Sequence, residues 1–132
     1  MPMLNISVRV RHLVERTCSS DPYQIAKDLR CDILVCDLPD RVNGMWRRIM
    51  RRKYIFINER LEEWQQEAVI CHELAHIIMH PTYRAFSMHG ESFACRRKER
   101  EANEFADLLM SYRYNSDEVY VYKFLTESWR NQ

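Results

Sequence analysis

The side chains with the greatest capacity for chemistry lie in residues 70–80, Ile-Cys-His-Glu-Leu-Ala-His-Ile-Ile-Met-His. A helix advances about 100° per residue, so His72 and His76 project from one face, one turn apart. At that spacing both imidazoles can close on one metal ion, and His-Glu-x-x-His is the arrangement of zinc hydrolases. Glu73 follows the first histidine directly and can take a proton from a water activated by the metal. Zinc lowers the pKa of such a water to about 7, so one carboxylate suffices at neutral pH.

The pattern is informative only in context. With 5 His and 12 Glu among 132 residues, shuffling produces it about twice in a hundred, so a core helix with two incidental histidines is the competing reading. The flanks favour a positioned site. Residues 61–69 (Leu-Glu-Glu-Trp-Gln-Gln-Glu-Ala-Val) are helix formers with acidic side chains in the first turns, and Pro81 ends the helix just after His80. Ala68, Cys71, Leu74, Ala75, Ile78 and Met79 give this helix a side to bury.

Two histidines need a third protein ligand if one zinc position is to stay open. The helix expected from about Cys95 to Ser111 is the best source. Glu99, Ala102, Asn103, Ala106 and Met110 share one face, with small residues where a second helix can approach closely. Asn103, one turn from Glu99, is suitably placed to hold a ligand histidine. Glu101 is rotated about 200° away, on the side of Phe105 and Leu108, so Glu99 is the first choice and Glu101 the second. Glu104 belongs on an exposed charged face. His80 is two turns from His72, too far to share the ion, and is expected to cap the helix or line the cleft. Cys95 reads as a buried structural cysteine rather than a ligand. Tyr83 and His89, on an irregular stretch from Thr82 to about Phe93, are candidate transition-state stabilisers on a mobile flap.

The remaining elements must hold these two helices. A helix is expected from about Asn5 to Arg16 and a second after Ser20-Asp21-Pro22, where Asp caps and Pro occupies the first helical position. Strands are expected at Cys31–Cys36, Val42–Ile49 and Lys53–Ile57, the last two hairpin-paired through a turn near Arg51. A substrate strand is expected to pair with a free sheet edge near Lys53–Ile57. A final amphipathic helix is expected from about 116 to 130. The arginine cluster Arg47-Arg48 and Arg51-Arg52-Lys53 reads as a solvated hairpin tip.

Composition narrows the class. A hydrophobic share of 46%, two glycines and four prolines suit a single globular domain over residues 1–132. The net charge of +1 supplies no general attraction to nucleic acid or membrane. No signal peptide or membrane span is visible, and five cysteines without a CxxC pair fit a reducing cytoplasm.

His72-Glu73-Leu74-Ala75-His76, His80-Pro81, and the run Glu99-Arg100-Glu101-Ala102-Asn103-Glu104-Phe105-Ala106 followed by Leu108-Leu109-Met110 resemble the ImmA/IrrE family of metallopeptidases. Asp21-Pro22 with Ile25-Ala26, and Ile55-Phe56-Ile57-Asn58, are similar too, so the resemblance covers roughly residues 20 to 111. It implies a zincin-like α+β fold, a short and mainly antiparallel three-stranded sheet packed with an active-site helix and a second, ligand-bearing helix. It also implies zinc on His72, His76 and Glu99, with Glu73 as catalytic base. Members of the family cleave transcriptional repressors of the phage or mobile-element kind and are often encoded beside them. One departure is Ser111, where the family usually has Pro; serine would let the helix continue.

The expected function is therefore zinc-dependent cleavage of a repressor. Two alternatives are a non-catalytic zinc-containing protein that sequesters a repressor or toxin, and a DNA-associated regulator using the arginines. Retention of Glu73 weighs against the first, because a structural zinc site needs no base.

Overall fold

In the computed structural model, which describes residues 5–83, 93–114 and 124–125, helix starts follow the capping chemistry of the sequence. Asn5 accepts the Val8 amide and opens α1 (Ile6–Thr17). Asp21 accepts the Tyr23 amide and opens α2 (Pro22–Asp28), with Pro22 at its first position. Three strands follow: β1 (Cys31–Cys36), β2 (Gly44–Ile49) and β3 (Arg52–Asn58). The two long helices are α3 (Glu63–Met79) and α4 (Phe93–Tyr114). At the start of α3 the Gln65 side chain accepts the Glu62 backbone N–H at 3.0 Å. At its end the His80 N–H reaches the His76 carbonyl at 2.7 Å before Pro81. The α4 helix runs past Ser111 to Tyr114, as expected where proline is absent. Its start is two residues earlier than the sequence suggested.

The fold is α+β, but the sheet is mixed rather than mainly antiparallel. The strand order is β1-β3-β2, with β2 antiparallel and β1 parallel to β3. The reason lies in the two connections. A tight turn through Met50, which adopts φ 59°, folds β3 straight back along β2. Residues 37–43 instead carry the chain from the end of β1 across to the far side of the sheet. Asn58 holds that crossing: its side chain donates to the carbonyls of Leu38, Pro39 and Val42 at 3.1, 3.2 and 2.9 Å. Because β3 is central, Lys53–Ile57 has no free edge, and the expectation that substrate pairs there is overturned. Among the described residues, the edge strands are β1 and β2.

Ile55, Ile57 and Trp46 are buried on the inner face of the sheet, where α3 packs. The approach is close at Gly44, where a Cβ would stand 2.5 Å from Val69 Cγ1 and 2.9 Å from the Phe56 carbonyl oxygen. Along the α3–α4 seam lie Ala68, Cys71, Leu74 and Ala75 from one helix, and Ala102, Phe105, Ala106 and Leu109 from the other, all fully buried. Each large apolar side chain so enclosed stabilises by about 1.5–3 kcal/mol. Glu67 meets Arg113 and Tyr114, whereas His72 meets Glu99, so the helices run antiparallel. The expected C-terminal helix at about 116–130 lies outside the described residues except for helical Phe124 and Leu125. Leu125 is buried, and the Phe124 ring stands 5.3 Å from that of Trp64. Among the described residues no helix is long and apolar enough to cross a membrane.

Candidate metal centre

The second half of α3 supplies His72 and His76, and the facing part of α4 supplies Glu99. His72 Nε2 lies 2.9 Å from Glu99 Oε1, His76 Nε2 lies 3.1 Å from Glu99 Oε2, and the two Nε2 atoms are 3.2 Å apart. All three residues are buried. Two donors bound at about 2.0–2.1 Å to one tetrahedral cation stand roughly 3.3 Å apart, so this triangle has the edge lengths of a tetrahedral face. Glu99 Oε2 is buried and makes no hydrogen bond despite its closeness to His76 Nε2. That is the state of an atom whose lone pair is aimed at a shared centre. The donor set, two imidazoles and one carboxylate, suits a divalent transition metal and leaves a tetrahedral site one position for a non-protein ligand.

Electrostatics agrees with the geometry. Burial lowers His76 to about 4, against the opposing influence of the nearby Glu99 carboxylate, so this ring is neutral and has a lone pair to give. For Glu99 burial acts upward, but the close imidazoles of His72 and His76 outweigh it and hold the carboxyl well below the usual range. For His72 burial acts downward, but the Glu99 hydrogen bond and charge, with Glu73 and Asn103, leave the ring raised. A raised imidazole beside an ionised carboxylate shows how strongly this spot favours positive charge.

Glu73 is buried next to this triangle. Burial pushes its carboxyl up to about 7; His72 and Arg47 oppose the rise and Glu99 adds to it. A carboxyl poised there can both accept and release a proton at neutral pH. Arg47, on edge strand β2, was not singled out from the sequence as an influence on Glu73. Its place in a run of basic residues hides its individual charge effect on Glu73.

The other expected site residues fall as follows. Glu101 is not in the triangle: its Oε1 accepts from His80 Nε2 at 2.9 Å. His80 caps α3 and places its Nδ1 3.1 Å from His76 Nδ1. Burial lowers His80, with Glu101 opposing. Asn103 is buried and helps raise His72, although neither its Oδ1 nor His72 Nδ1 completes a hydrogen bond. Tyr83 is buried with its ring 5.1 Å from the His76 ring and under Lys98 Nζ at 5.2 Å. Burial first, and then Glu99, raise its phenol, so it stays a proton donor. Cys95 is half-buried rather than buried and lies beside Tyr83. Glu104 is exposed. His89 and the flap expected around it lie outside the described residues. Among the described residues His72, His76 and Glu99 form the metal-capable cluster.

Comparison with known proteins gives the same direction. Residues 26–125 match the peptidase M78 family, described as the IrrE N-terminal-like domain. The chain is 30% identical over 106 residues to "Uncharacterized immunity region protein 2" of Bacillus phage phi105, a match covering 80% of this chain and 67% of the relative. No solved structure matches.

Proposed function

Since the chain belongs to the peptidase M78, IrrE N-terminal-like, family, we propose that it is a zinc-dependent endopeptidase whose substrate is a transcriptional repressor of the phage or mobile-element kind. The observation that carries this reading is the buried triangle of His72, His76 and Glu99 with Glu73 beside it. His72, His76 and Glu99 would hold the zinc, which when bound supplies a Lewis acid for the scissile carbonyl and lowers the pKa of water to about 7. The Glu73 carboxylate takes a proton from the attacking water and returns it to the leaving amine nitrogen, a double task suited to a carboxyl poised near neutrality. Neutral His76 and ionised Glu99 are ready as donors without a prior proton loss, whereas His72, whose pKa is raised, holds its proton more tightly. The Tyr83 ring shields His76 on one side and excludes water from it.

The relative's designation as an immunity-region protein supports a repressor as substrate. Five cysteines that form no disulfide support a reducing, cytoplasmic setting.

The test is incubation of the zinc-loaded chain with a purified repressor encoded beside it, read by gel and mass spectrometry. Two fragments are expected with the wild type and none with Glu73→Gln or after chelation. A stable complex formed equally by wild type and Glu73→Gln, with no cleavage, would replace this reading with sequestration.

A further inference from the structure

We infer that His80 and Glu101 form a buried relay that fixes the tautomer of His76 and thereby sets the metal affinity of the site. The inference rests on the metal-binding reading above and deepens it.

The contacts run in one line from α4 through the cap of α3 to the candidate ligand. Glu101 Oε1 is 2.9 Å from His80 Nε2, His80 Nδ1 is 3.1 Å from His76 Nδ1, and His76 Nε2 faces His72 and Glu99. His80 and His76 are buried and Glu101 is half-buried, so water does not readily replace these bonds. A carboxylate only accepts hydrogen bonds, so the proton of a neutral His80 ring sits on Nε2. Its Nδ1 is then bare and can only accept. His76 must therefore donate from Nδ1, which leaves Nε2 with its lone pair directed at the cation site. Each step follows from the one before it, and the origin is one carboxylate. Without the relay, His76 can place its proton on Nε2, where it competes with the metal for the same lone pair.

The two candidate ligand histidines are thus supported unequally. His76 has an imidazole and a carboxylate behind its Nδ1, while His72 Nδ1 is buried without a hydrogen-bond partner. A His80 that merely capped α3 would need only its backbone N–H, which already reaches the His76 carbonyl. The side-chain contacts are what that simpler role leaves unexplained.

The experiment has two readouts. The first is the tautomer of His76 in the metal-free full-length protein, taken from long-range proton–nitrogen NMR of labelled histidines. The second is zinc affinity from competition with a chromophoric chelator. Wild type should show a protonated Nδ1 on His76. Glu101→Ala and His80→Phe should show a mixture or the reverse tautomer and bind zinc about 10–100-fold more weakly. His80→Asn, whose Oδ1 stands near the position of the lost Nδ1 and can accept from His76, should restore most of the affinity. It also guards against a loss due to misfolding. A protonated Nε2 on wild-type His76, or folded Glu101→Ala and His80→Phe with wild-type zinc affinity, would overturn the relay while leaving the metal site standing. Failure of the wild type itself to bind zinc would overturn the reading on which the relay rests.

Discussion

Helices α3 and α4 bury two carboxylates between them, one toward each end of the seam, and complete them in opposite ways. Glu67 receives the Arg113 guanidinium at 2.9 Å and the Tyr114 hydroxyl, with Asp21 3.7 Å from the same arginine. Its negative charge is met by a permanent positive one from the chain itself. Glu99 is instead met by His72 and His76, groups whose charge depends on a proton. Burying an ion costs several kcal/mol unless a partner compensates it, and only the Glu67 end carries a partner that cannot be neutralised. The difference explains how one helix pair can provide both a closed structural tie and a socket that an external cation completes.

The largest effect should come from removing the base and leaving the socket intact. Glu73→Gln is expected to lower peptide hydrolysis by about 10²–10⁴-fold while zinc content stays at the wild-type level. Turnover of a cleavable repressor segment and elemental analysis, on the same preparation, test both halves. Next comes metal removal. Zinc at 100 to 1,000 times its Kd should stabilise the folded chain by about 3–4 kcal/mol, seen as a rise in Tm that chelation reverses. Glu99→Ala should abolish that rise, and Glu101→Ala should only weaken it. An equal loss in both would mean that the two carboxylates act as ligands together.

The closed end should behave differently. Arg113→Met leaves Glu67 buried with Tyr114 alone and is expected to cost roughly 1–3 kcal/mol in urea unfolding. That is the low side for a broken buried pair, because Arg113 is partly exposed. Its zinc affinity should be unchanged. The smallest effect is that of Tyr114→Phe, which removes one hydrogen bond from Glu67 and should cost about 1 kcal/mol. A change of zinc affinity in either variant would show that the two ends of the seam are coupled, and the contrast drawn above would fail.

Legibility followed the range of the interactions. The cap at Asp21-Pro22, the helix stop at Pro81, the continuation through Ser111 and the hairpin turn at Met50-Arg51 all depend on neighbours within a few residues, and all could be read in advance. The face of α4 that holds Glu99, Ala102, Asn103, Ala106 and Met110 was readable for the same reason, and all five are buried. Glu67 was passed over, although it lies one turn before Cys71 on the buried side of α3; an acid on an apolar face was the signal. The pairing of Glu101 with His80 is not legible, because 21 positions separate them and only the packing of α4 against the end of α3 relates them. The parallel pairing of β1 with β3 is not legible because Asp37-Leu38-Pro39-Asp40 marks a loop without indicating to which side of the sheet it carries the chain.

By itself, then, the sequence determined what helix geometry can propagate: two imidazoles on one face with a carboxylate beside the first, and a second helix with a small-residue side bearing an acid. The tertiary structure decided which acid meets those imidazoles, which strand lies at the centre of the sheet, and what stands behind His76. Helical spacing places residues three or four apart with no knowledge of the rest of the chain. His72 and Glu99 are 27 positions apart, and only the antiparallel packing of α3 on α4 relates them.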